Sequence, residues 1–123
     1  MRSAPSTLLA MMLVLGFRAL FLSEGENVYA RVANIRFPPE MRAEVVRVAR
    51  GLPPVLRAQP GFNGLQVLTD PNTGEGIIIS LWETEDAATA GEESSAYIGQ
   101  ISMMSSFLRN MLVPATYELS VKA

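Results

Sequence analysis

Regular alternation of apolar and polar positions begins at residues 27–37 (NVYARVANIRF). Val28, Ala30 and Val32 fall on one side; Tyr29, Ala33, Ile35 and Phe37 fall on the other. This period of two predicts a strand. Apolar residues on both sides predict cover on both faces. Pro38-Pro39 ends the strand, since proline cannot donate to a ladder. From about Glu40 the period changes. Met41, Val45, Val48, Ala49 and Leu52 form one helical stripe, and Arg42, Glu44, Arg47 and Arg50 mostly occupy the other side. Gly51 and Pro53-Pro54 break this helix. The second proline can open a new turn, with Val55 and Leu56 continuing the apolar side.

Pro60-Gly61 marks a turn, and residues 62–69 (FNGLQVLT) follow as a strand. The run Asp70-Pro71-Asn72-Thr73-Gly74 predicts a hairpin connection of four or five residues. Residues 76–82 (GIIISLW) are the most β-prone stretch, apolar almost throughout, as a central strand would be. Thr84 is a candidate N-cap, with Glu85-Asp86 in the first turn of a short helix over residues 87–91. Ser94-Ser95 offer a second cap. From Tyr97, the residues Ile98, Ile101, Met104, Leu108, Met111 and Leu112 follow helical spacing up to Pro114. Residues 115–121 (ATYELSV) alternate again, with Tyr117, Leu119 and Val121 on one side.

The order is β-α-β-β-α-β, an α+β, ferredoxin-like arrangement with an antiparallel sheet in order 4-1-3-2 and both helices on one face. The opposite face then needs cover. A second copy packing sheet on sheet is the simplest cover, which predicts a symmetric homodimer.

Residues 1–26 form a separate apolar extension before the domain at 27–123. Arg2 supplies a positive charge, residues 8–17 (LLAMMLVLGF) are apolar, Arg18 interrupts, and residues 19–22 resume. The pattern is signal-like, but the candidate end at Ser23 has Phe21 two residues before it, where a small residue is usual. The uninterrupted run falls short of the roughly 20 apolar residues of a stable membrane span. Three readings stay open: an export signal, an upstream start that does not belong to the domain, and an added helix packing on the domain or a partner. The domain reads as cytoplasmic, with export or membrane association through residues 1–22 as the alternative.

Composition narrows the chemistry. The chain of 123 residues is 49% hydrophobic and 18% charged, with ten Lys+Arg against twelve Asp+Glu. It carries no basic block, which argues against a nucleic-acid partner. It contains neither Cys nor His. Thiol nucleophiles, disulfides, zinc–thiolate sites, imidazole metal ligands and Ser-His-Asp catalysis are therefore excluded. Carboxylates, Arg, Asn, Tyr, Trp, backbone groups and the substrate itself remain. Glu83, Glu85, Asp86, Glu92 and Glu93 cluster, as a solvated helix start does. No metal site is expected there.

The remaining candidates each carry two readings. Trp82, the single Trp, is either core filler or a wall that stacks on an aromatic ligand. Asn34 either satisfies backbone groups near the strand end or offers a carboxamide to a developing anion. Arg31 and Arg36 share the first strand, for ion pairing or anion capture. Tyr97 and Tyr117 are rim packing or proton donors. Met103, Met104, Phe107 and Met111 pack the core or line a pliable pocket.

The segment PGFNGLQVLTDPNTGEGIIISLWETEDA (Pro60–Ala87) resembles the signature of the antibiotic biosynthesis monooxygenase domain, and YARVANIRFPPE (Tyr29–Glu40) resembles its first strand and turn. The similarity spans about residues 28–121. It implies a dimeric α/β barrel with a pocket between sheet and helices in each subunit. It also implies insertion of oxygen into a small aromatic phenol or quinol with no added cofactor. By that resemblance Asn34 and Trp82 are the catalytic candidates; from their own chemistry Arg31, Tyr97, Met104 and Phe107 are the candidate pocket residues. The haem-degrading branch uses a histidine ligand, which this chain lacks. The alternative is a non-catalytic barrel module that binds a hydrophobic ligand.

Overall fold

Prolines and glycines set the element boundaries. The computed structural model of the chain describes residues 28–123. The expectations for residues 1–26 lie outside the described residues. Strand β1 spans Tyr29–Arg36, and a single 3₁₀ turn at Pro39–Met41 leads into α1 (Arg42–Ala49). Helix α2 (Leu52–Arg57) starts on Pro53-Pro54, at positions where the missing N–H has no helical partner to lose. Strands β2 (Phe62–Thr69) and β3 (Glu75–Trp82) form a hairpin. Helices α3 (Glu85–Glu92) and α4 (Ser95–Ser105) follow, and β4 (Ala115–Glu118) closes the order. Thr84 and Ser94 cap α3 and α4, accepting from the amides of Ala87 at 3.0 Å and Tyr97 at 3.3 Å.

The sheet is antiparallel throughout, in order β2-β3-β1-β4, as the expected 4-1-3-2 requires. The hairpin is held by Asp70, whose Oδ1 accepts from Asn72 N at 2.8 Å, and by Gly74 at φ 75°, a left-handed position that suits glycine. The backbone amide hydrogen bond from Asn72 is the main reason the Asp70 carboxyl titrates below the usual carboxylate range.

The helices cover one face. Ile35 on β1 and Phe37 just after it, Ile78 and Trp82 on β3, and Val45, Leu52, Leu56, Ala88 and Met104 on the helices form one core. Trp82 is fully buried, donates Nε1–H to Ser80 Oγ at 2.8 Å, and meets Phe62 edge-on at 5.4 Å. Helix α3 lies so close that a Cβ at Gly91 would clash with the edge of the Trp82 ring.

On the other face, β1 and β3 present Val32, Ile77, Ile79 and Leu81, in register across the two strands. Thr116 is bonded to Arg31 on the helix side, so Tyr117, opposite Ala30, stands on this outer face. It is 59% exposed, and Leu68 is 50% exposed.

One expectation fails here. The last helix does not run to Pro114 but ends at Ser105. Ser105 and Ser106 turn their hydroxyls back to the carbonyls of Ile101 and Met103. The chain is then diverted to β1, where Arg109 N donates to Arg36 O at 2.7 Å. Met111 is consequently 83% exposed rather than on a buried stripe.

Gly91→Ala is expected to destabilise the fold by about 1–3 kcal/mol through overpacking against Trp82. Gly99→Ala, where a Cβ meets nothing within 4 Å, should be neutral or mildly stabilising. Thermal melts followed by Trp82 fluorescence check both.

Candidate functional site

Period-two alternation separates the sequence candidates onto two faces of β1. Arg31 and Ala33 turn to the helices, and Asn34 and Arg36 turn outward. The structure therefore does not bring Asn34 and Trp82 together. Asn34 is opposite Ile77 and Trp82 is opposite Tyr29. Five residues separate the two positions, about 16 Å along the strand at roughly 3.3 Å per residue. They also stand on opposite sides of the sheet.

Trp82 is sealed in the core, as is Met104, and Phe107 packs against the same cluster. These side chains pack together between the sheet and the helices. Arg31 and Tyr97 do come together, through Glu92, which is not solvated as its acidic neighbours in sequence would suggest. Arg31 Nη2 lies 2.7 Å from Glu92 Oε1, and Nε donates to the same oxygen at 2.8 Å. Arg31 Nη1 donates to Thr116 Oγ1 at 2.7 Å. The guanidinium is thus engaged on three nitrogens, linking β1 to α3 and β4. Burial, then the Glu92 carboxylate, push the Tyr97 phenol well above the usual tyrosine range, and Arg31 partly offsets this. This network ties β1 to α3 and β4 on the helix side of the sheet.

The open concavity is on the other face. It measures about 770 Å3 and lies at the β2–β3 hairpin end of the sheet. Such a volume suits a small molecule. Leu68 and Ile77 supply apolar floor, Asn34 and Arg36 supply polar groups, and Asp70 and Glu75 stand at the hairpin. Asn110 forms the remaining edge. β4 pairs with β1 only as far as Val32. Beyond it, the Asn110 side chain takes the place of a strand: Nδ2 donates to Asn34 O at 2.9 Å, and Oδ1 accepts from Arg36 N at 2.7 Å. One carboxamide thus reproduces the donor and acceptor of a ladder residue. Sequence reading passed over Asn110, because only the third dimension places it against β1. Among the described residues no three His, Cys, Asp or Glu converge as metal ligands. No described helix is long and apolar enough to cross a membrane.

A four-stranded antiparallel sheet in this order, with helices on one face, defines a ferredoxin-like α+β protein. The family model described as antibiotic biosynthesis monooxygenase matches residues 28–98. This is more than half of the chain, and the chain belongs to that family. Solved structures agree on the fold. Rv0793 from Mycobacterium tuberculosis superposes with a TM-score of 0.66 at 14% identity, covering 78% of this chain and 98% of its own. A conserved protein from Methanosarcina mazei gives 0.68 at 17% identity, covering 80% and 96%. No curated protein is significantly similar in sequence.

Asn110→Ala is expected to cost about 1–2 kcal/mol, because it strands a backbone donor and acceptor. Amide exchange at Arg36 should accelerate, and exchange at Ile78 should follow global stability only. A second expectation concerns Tyr97. The folded state holds its neutral form, while the unfolded chain ionises near pH 10. Its contribution is complete below pH 10 and is lost as pH rises above that. Absorbance titration should show one tyrosine resisting ionisation through pH 10 until the protein unfolds, and Tyr97→Phe should remove that component.

Proposed function

We propose that this protein acts as a homodimer that oxygenates a small aromatic phenol or quinol without an added cofactor, binding it in the Asn34 concavity. Family membership supports the reaction class. The observation that carries the location is the open 770 Å3 recess, where a carboxamide and a guanidinium border an apolar floor. A flat ring would lie on Leu68 and Ile77. Its ionised oxygen would meet Arg36 and the Asn34 amide, which lower the acidity barrier by stabilising the anion. With no His in the chain, water or a substrate's own acidity supplies the deprotonation.

The chemistry then resides in the substrate. Its delocalised carbanion passes one electron to O2. The resulting carbon radical and superoxide combine as a carbon–oxygen bond. The peroxide takes up a proton and loses water as the carbon's second hydrogen leaves as a proton. A CH2 carbon becomes a carbonyl, one oxygen atom is retained, and the other leaves as water. The protein contributes orientation, anion stabilisation and restricted water. In this proposal the domain at residues 27–123 is cytoplasmic, with export or membrane association through residues 1–22 as the alternative.

The second reading is a non-catalytic module that binds a hydrophobic ligand. Full burial of Trp82 supports it, because the indole offers no face to a substrate.

Oxygen uptake on anthrones, naphthoquinols and catechols discriminates the two. Uptake above autoxidation is expected, falling on the order of 100-fold in Asn34→Ala and Arg36→Ala as donors to the anion are removed. Trp82→Phe should alter melting temperature more than turnover. Uptake equal to autoxidation, with saturable ligand binding, would favour the module.

A further inference from the structure

The concavity and the uncovered sheet face are one continuous surface. Asn34 and Ile77, which line the recess, share the outer face of β1 and β3 with Val32, Ile79 and Leu81. No charged residue stands among these central apolar positions. The recess lies at one end of this face, beside Arg36 and Asn110. At the other end Tyr117 projects opposite Ala30 at 59% exposure, and Leu119 follows, its amide bonded to Val28 O at 2.7 Å. One face therefore carries both a recess and an apolar projection, separated along the strand direction. That is the form of a self-complementary surface, since in a two-fold contact each feature meets its counterpart on the other copy.

We propose that the ligand site is composite: a second copy of this chain packs on the outer face, and its Tyr117–Leu119 segment roofs the Asn34 concavity. This rests on the homodimeric ligand-binding reading above. A two-fold axis lying between the sheets and across the strands sets the beginning of one β1 over the end of the other. β4 and the Asn110 segment occupy the same lateral position beside β1, so Tyr117 of one copy comes to lie over Arg36 and Asn110 of its partner. Stacked sheets stand about 10 Å apart with their side chains filling the gap, so the recess is what leaves room for a flat ring between floor and roof. Each dimer then holds two such sites, each closed on the apolar side by a tyrosine ring and open at the hairpin. A ligand in this position would be a flat aromatic anion, with its charge at Arg36 and its ring between Ile77 and the opposing Tyr117. In one copy alone the recess is open to water and lacks its second apolar wall.

The test uses 2-hydroxy-1,4-naphthoquinone, a flat aromatic anion, in calorimetric titrations of the full chain. One site per chain is expected, with affinity reduced more than tenfold in Arg36→Glu and in Tyr117→Asp. The decisive measurement is an equimolar mixture of those two variants after subunit exchange. Each mixed dimer regains one intact site, so the mixture should recover about a quarter of the wild-type sites, given random pairing of two-fold subunits. No recovery overturns the composite site, because it places Arg36 and Tyr117 effects within one chain. Ile79→Asp, at the centre of the face and outside the recess, should sediment as a monomer and lose binding. A folded Ile79→Asp monomer that binds as tightly as wild type overturns the composite site and leaves the proposed ligand intact. If circular dichroism shows any variant unfolded, wild-type dilution replaces it. Bound probe per chain must fall with the dimer fraction seen by sedimentation, and a constant value overturns the proposal. Absence of binding by wild type at any concentration overturns both this inference and the ligand reading on which it rests.

Discussion

The seat of Trp82 beneath Gly91 is the contact on which the architecture depends. The largest side chain of the core lies fully buried at the end of the central strand. It can do so because the helix above it carries hydrogen in place of a methyl group. The indole N–H is satisfied within the same strand by Ser80, so burial leaves no polar atom stranded. Helix α3 is thereby drawn onto the sheet, which brings Glu92 within reach of Arg31. Arg31 in turn joins β1 to α3 through Glu92 and to β4 through Thr116. The final strand is placed independently, by its antiparallel pairing with β1.

This arrangement has a functional consequence. On the helix side, Trp82 and Met104 are fully buried and Phe107 packs against them. On the opposite face Asn110 takes over from the ladder, and a recess lies beside Asn34 and Arg36. An Asn in the role of a strand residue costs no extra backbone. It satisfies two groups on β1 while leaving the adjacent volume empty.

The two arginines of β1 illustrate how alternation divides chemistry. They are five residues apart, an odd number, so they stand on opposite faces. Arg31 spends its donors on Glu92 and Thr116. Arg36 borders the recess. Side-chain type alone does not distinguish them. Face and neighbours decide which is structural and which can meet a ligand.

Most of the fold was legible in the residues, because local chemistry settles it. Proline pairs, the Asp70–Gly74 turn, the Thr84 and Ser94 caps and the alternation of β1 and β3 each act over a few residues. Together they specify the β-α-β-β-α-β order. The final helix was overestimated for the same reason: spacing continues through Met111, but hydrogen bonds between β1 and the Arg109–Asn110 segment compete with the helix and prevail. The site was legible only in part. Asn34 and Arg36 were visible as polar residues on a strand, and Arg31 with Tyr97 as neighbours in kind. Glu92 was hidden among other acidic residues, and Asn110 carried no local signal. By itself the sequence determined the elements, their order and the chemistries that lack of Cys and His excludes. Tertiary structure alone decided that Asn34 and Trp82 lie on opposite faces, and that the open recess is on the outer one. The reason is physical: element type follows from contacts between near neighbours, whereas a site is made by contacts between residues some 60 to 85 positions apart.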